Sequence, residues 1–132
     1  MPEIPGAYRD LLETKKAIAS LATVSADGSP QVTPVWFDWD GAHVRINTAR
    51  GRLKDRNLTQ RPRVAMAIID PDNPYRYVQL RGRVVEVTEA GADPHIDSLT
   101  KKYTGQDRYP YRQPGEKRVI YKIAPERVQT MG

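Results

Sequence analysis

Residues 75–88 read YRYVQLRGRVVEVT, and polar and apolar side chains take turns along the stretch. Tyr77, Gln79, Arg81 and Arg83 stand on one side of an extended backbone, with Val78, Leu80 and Val84 on the other. A period of two belongs to a β-strand with one face on a core and the other on solvent. A strand of that length needs hydrogen-bonding neighbours, so the rest of the chain must supply a sheet around it. Gly82 interrupts the run, which marks a bulge or a bend.

The neighbours can be read in order. Residues 17–25 (AIASLATVS) are small, apolar and tolerant of extended backbone, and predict the first strand. The turn at 26–30 (ADGSP) leads into a second strand over 31–39, and Asp40-Gly41 turns into a third over 42–48. The run VAMAII at 64–69 reads as a buried fourth strand, and RVIYKI at 118–123 as the sixth and last, with 124–132 a tail. Three helices are expected, over 7–16, 52–60 and 93–103. The last would have Asp93 as its N-cap, Pro94 at its first position, and Ile96, Leu99 and Tyr103 on its buried line. Residues 105–116 form a polar loop. The pattern predicts a mainly-β fold, a six-stranded antiparallel barrel with peripheral helices, with residues 1–132 as one domain.

Charge is concentrated. Residues 50–63 (RGRLKDRNLTQRPR) hold Arg50, Arg52, Lys54, Arg56, Arg61 and Arg63 against the single acid Asp55, a net +5 that equals the formal charge of the whole chain. Such focus points to an anionic partner. Arg61 and Arg63, nearest the fourth strand, read as its solvated approach. Pro34 lies inside the second strand, where it has no N–H for a ladder. It therefore marks an edge, a bulge or backbone left open for a ligand.

Much chemistry is excluded. With no cysteine there is no disulfide, thiolate metal site or cysteine nucleophile. His43 and His95 lack metal-ligand spacing and read as surface or packing residues; no metal site is expected. Asp38 and Asp40 read as turn residues around Trp39, and no phosphate loop, dinucleotide fingerprint or nucleophile elbow is present. A protein that borrows a cofactor's chemistry fits better, since it needs binding, orientation and exclusion of water. The chain has no long apolar run for a membrane span and no leader-like N-terminus, so a cytoplasmic protein is expected. Its hydrophobic fraction of 39% is a little low, and self-association would hide more apolar surface.

Three stretches together resemble the flavin/deazaflavin oxidoreductases with the split β-barrel fold of pyridoxamine 5′-phosphate oxidase. They are LATVSADGSPQVTPVWFDWDG, INTARGRLKDRNLTQRPRVAM and YVQLRGRVVEV, and the later RVIYKIAPERV also fits. The likeness is greatest to the small branch that uses the deazaflavin coenzyme F420 in place of FMN. It implies a Greek-key, FMN-binding-like split barrel. It also implies a homodimer with two sites at the interface and hydride transfer from the reduced deazaflavin to an electron-poor small organic substrate.

By the same resemblance, the ring system would lie on the backbone of Val32, Thr33, Pro34 and Val35. Asn47 and Thr48 would meet the ribityl or phosphate region. Arg50, Arg52 and Lys54 would hold the phosphate and the start of the polyglutamyl tail, and Tyr77 would reach the cofactor of the neighbouring subunit. No catalytic side chain is implied; Trp36, Tyr77 and Tyr109 or Tyr111 could line the open ring face. The sequence ends after ERVQTMG, without the segment that supplies an arginine and a histidine for pyridoxal phosphate, so vitamin B6 oxidation is not expected. Two alternatives are an FMN-binding member of the same fold and a barrel that binds nucleic acid through the basic stretch. The second is disfavoured because no aromatic residue is interleaved among the cations.

Overall fold

A computed structural model describes residues 2–132. Its strands are β1 (Ala19–Val24), β2 (Pro30–Val35), β3 (Asp38–Trp39), β4 (Val44–Ala49), β5 (Arg63–Asp70), β6 (Asn73–Thr88) and β7 (Arg118–Met131). The helices are α1 (Asp10–Glu13), α2 (Leu53–Gln60) and α3 (Ala92–Thr104), with a 3-10 turn at Gly6–Tyr8. All the strands belong to one antiparallel sheet in the order β2-β1-β5-β6-β7-β4-β3. The sheet forms the half-barrel of a split β-barrel around one apolar cluster that includes Leu11, Leu21, Phe37, Ile46, Ile68, Leu80 and Ile123.

The strand count is seven where the sequence predicts six. The expected second strand breaks at Trp36-Phe37. Phe37 turns fully into the core, and its N–H donates to the Tyr103 hydroxyl at 3.3 Å instead of to a ladder. The piece beyond the break, β3, pairs with β4 at the opposite end of the sheet.

The expected tail at 124–132 is also strand. β7 follows β6 from Thr88↔Ile120 to Tyr77↔Met131. Its second half carries polar residues outward and contains Pro125, which obscures the pattern in sequence. Pro125 stands opposite Gly82, where the register shifts, and a Cβ on Gly82 would lie 2.6 Å from the Ala124 carbonyl oxygen. Only glycine lets β7 pass that close.

The turn before β2 follows its chemistry. Gly28 has φ +86°, and the Asp27 carboxylate accepts from the Ser29 N–H at 3.0 Å. The first helix is shorter than the 7–16 expected, and α3 begins at Ala92 after Gly91 in the left-handed region. Asp93 is therefore not its cap, and pairs with Arg112 at 2.8 Å instead.

Candidate functional site

α2 is set at its start by one buried carboxylate. Asp55 accepts from the Gly51 N–H at 2.9 Å and from Arg50 Nη1 at 3.2 Å, and the Tyr121 hydroxyl donates to it from the core. Burial would raise the Asp55 carboxyl, but these donors outweigh it and hold it below the usual carboxylate range. At the other end Asn57 donates to Thr23, and Arg61 donates to the Val24 carbonyl at 2.6 Å. Arg61 is thus a tie between α2 and β1, not the solvated approach to the fourth strand that the sequence suggests.

So fixed, α2 presents Arg52 and Lys54 to an open cleft of about 250 Å³. Pro34, Val35 and Trp36 form one wall, Ile96 and Leu99 of α3 another, and Asn47, Arg118, Tyr109 and Tyr111 complete it. Two features hold the walls. Trp36 stacks on Tyr103, rings 5.3 Å apart and 6° from parallel, and the Tyr103 hydroxyl donates to the Ala17 carbonyl at 2.6 Å. In the 105–116 loop, the Tyr109 N–H donates to Asp97 of α3 at 2.8 Å.

Three cations at the cleft meet one carboxylate, Glu116. Arg118 is buried and donates to Glu116 at 3.2 Å; Arg52 reaches the same oxygen at 3.4 Å. Half-buried Lys54 has no ion pair or hydrogen bond among the described residues. Burial, with Arg52 and Arg118 nearby, pushes its ammonium below the ordinary lysine range. An ammonium in that position, beside two guanidiniums that share one carboxylate, has the chemistry to receive an oxyanion.

A polar network underlies the cleft. Asn47 accepts from Arg118 Nε at 2.9 Å, donates to the Ala92 carbonyl at 2.9 Å and lies 3.1 Å from His95 Nδ1. His95, buried rather than on the surface, has its Nε2 3.2 Å from Asp38. Asp38 in turn takes both Nε and Nη2 of Arg45, at 2.8 and 2.7 Å. Asp38 is therefore a paired strand residue instead of a turn residue. Burial acts to raise its carboxyl, yet the bonds from His95 and Arg45 hold it down at about 2.

Of the residues nominated from sequence, Pro34, Val35, Asn47, Arg52 and Lys54 meet in this cleft. The others do not line it. Val32 is exposed and Thr33 half-buried on the edge strand β2. The Thr48 side chain is buried with its hydroxyl unpartnered. Arg50 is spent on Asp55 and on Glu89. Tyr77 stands on the outer face of the sheet between Ile69 and Met131.

Sequence reasoning missed Arg118 as a site residue. The only signal was a cation opening an apolar strand. A wider groove of about 470 Å³, lined partly by Arg63, Arg81 and Arg127, crosses the outer sheet face but contains none of the nominated residues.

Comparison with known proteins supports the architecture. The pyridoxamine 5′-phosphate oxidase family matches residues 4–132. A solved structure named F420 reductase is 38% identical over 96% of this chain and 98% of its own, with a TM-score of 0.83. A conserved hypothetical protein from Mycobacterium tuberculosis is 26% identical over 99% of this chain and 86% of its own, with a TM-score of 0.73. General Stress Protein 26 from Bacillus anthracis, 17% identical over 91% and 88%, has a TM-score of 0.64 and shares the fold.

Proposed function

The chain belongs to the pyridoxamine 5′-phosphate oxidase family, and from that premise we propose that it is a reductase dependent on the deazaflavin coenzyme F420. The family and the similarity to an F420 reductase support an oxidoreductase of the flavin- or deazaflavin-binding type. The observation that carries the finer reading is Lys54, an ammonium with no partner among the described residues, beside Arg52 and Arg118 at a cleft walled by Pro34.

The residues fit such a group. Lys54, Arg52 and Arg118 would take its phosphate and the first carboxylates beyond it. β2 is an edge strand, and Pro34 has no N–H to leave unsatisfied, so a flat ring can lie on that backbone. Trp36, Tyr109 and Tyr111 would shield one side from water while the open side admits substrate. The chemistry supplied by the bound cofactor is hydride transfer from C5 to an electron-poor small organic molecule, which asks for orientation more than for an acid or base.

A cleft this open calls for a second wall, and a second copy of the chain is the candidate. On the outer face, Ile69, Tyr77 and Met131 form one cross-strand row, with Ile69 41% and Met131 53% exposed. Covering that row would bury apolar surface and bring Tyr77 to an interface. In this reading residues 1–132 act as one cofactor-binding domain of a cytoplasmic homodimer. Titration with F420 and with FMN, followed by fluorescence, tests the cofactor. Tight F420 binding is expected; tight FMN binding without a deazaflavin response overturns the choice.

A further inference from the structure

We propose that His95 is a positioning residue for the cleft, holding the Asn47 amide, and through it the Arg118 guanidinium, in the arrangement that receives an anion. This rests on the reading of the cleft as a cofactor site.

The Asn47 nitrogen carries only donors, so His95 Nδ1, 3.1 Å away, must offer its lone pair. The proton of the neutral ring then sits on Nε2, where it donates to Asp38 at 3.2 Å. Two other partners confirm the amide's direction. Its nitrogen also donates to the Ala92 carbonyl, and its oxygen accepts from Arg118 Nε. Turning the amide over would place oxygen against a carbonyl and N–H₂ against a guanidinium. One tautomer of one buried histidine is therefore consistent with every contact from Asp38 to Arg118.

Protonating His95 puts Nδ1–H against the Asn47 N–H₂, donor facing donor, and the amide must turn. That breaks the bond to Arg118 and unsettles the cation under the cleft. Charged groups surround the ring. Asp38, on the far side of the ring, is also paired with Arg45. Arg45, Glu86 and Lys122 share an open pocket with His95, and Lys102 stands near Asp38 with its Nζ on the Phe37 carbonyl. A loss of anion affinity on acidification is thus the signature expected of a doubly protonated ring.

The test has two arms. In the cofactor-free protein, long-range ¹H–¹⁵N NMR of the imidazole should show the Nε2–H tautomer, with the Asn47 side-chain amide signals moving as His95 titrates. The Nδ1–H tautomer, or Asn47 signals indifferent to His95, overturns the inference. In the second arm, F420 affinity is measured from about pH 8 to about pH 5 for wild type, His95→Asn and His95→Leu. Asparagine keeps an acceptor near the Nδ1 position and cannot be protonated. Its affinity should stay close to that of wild type at pH 8 and lose the acid limb. Leucine should weaken binding roughly tenfold or more, because the Asn47 donor is left unpaired.

Equal affinities for the Asn and Leu variants at pH 8, or an unchanged acid limb in the Asn variant, overturn the inference even if both variants melt at lower temperature. Failure of the wild type to bind F420 or FMN overturns the cofactor reading instead, and the NMR arm still decides the role of His95.

Discussion

Asn47 Oδ1 accepts a 2.9 Å hydrogen bond from Arg118 Nε, joining β4 to the start of β7 under the cleft. The bond spans 71 residues of sequence and fixes the one cleft cation that is itself buried. Replacing Asn47 with leucine keeps the volume but strips partners from Arg118 and the Ala92 carbonyl. The expected loss is about 3 kcal/mol of stability, read as a lower urea midpoint. Asn47→Asp should fall between, since it can take Arg118 but cannot donate to Ala92. Equal midpoints for wild type and the leucine variant would show that the network carries no energy.

Lys54 behaves in the opposite way. It has no partner among the described residues, and its neighbours Arg52 and Arg118 repel it. Lys54→Ala should leave the melting temperature unchanged or raise stability by up to about 0.5 kcal/mol. Its F420 affinity should fall roughly 10- to 100-fold, the worth of a charge-assisted bond to an oxyanion. A variant that binds normally removes Lys54 from the site.

Gly82→Ala places a methyl 2.6 Å from the Ala124 carbonyl oxygen and 3.0 Å from Ile123 Cγ2. Neither the paired backbone nor the buried isoleucine can move away freely. The expected cost is about 1–3 kcal/mol, measured by chemical denaturation.

Asp38 should make stability depend on pH. Its carboxyl is held at about 2 in the folded chain against an ordinary value of 3.8. The folded pKa is the lower one, so the contribution is fully present above about pH 4 and is lost as pH falls toward 2. It is on the order of 2 kcal/mol. The stability gap between wild type and Asp38→Asn should be widest near neutrality and close through that window. A gap that persists at low pH would assign the effect to packing.

Tyr77→Asp puts a charge into the Ile69–Tyr77–Met131 row. If a second copy covers that row, the variant should sediment as a monomer and bind cofactor weakly, while unfolding like wild type. An unchanged mass would place the interface elsewhere.

The sequence conveys the fold through its repeating patterns and loses it where tertiary contacts override them. The alternation in 75–88 and the apolar run in 64–69 announce the central strands because each has a buried face. The break at Phe37 is invisible because it depends on Tyr103, 66 residues away, taking the place of a ladder acceptor. The second half of β7 is hidden by Pro125, whose fault is absorbed by Gly82 on the next strand.

The candidate site divides in the same way. Arg52 and Lys54 stand out because charge focused on a short helix is a local property. Arg50 carries the same signal, but Asp55 and Glu89 occupy it. His95, Asp38 and Arg118 are far apart in sequence, and only the packing of α3 against β4 and β7 makes them one chain of contacts.

The prolines of β2 have a further effect. An edge strand invites strand addition from other chains, and β2 is an edge on one side. Pro30 and Pro34 lie within it and offer no N–H at two of its six positions. The edge is thus a poor template for a foreign strand. If the proposed ring lies on Pro34, the residue that opens backbone to it also denies a foreign strand one of its donors.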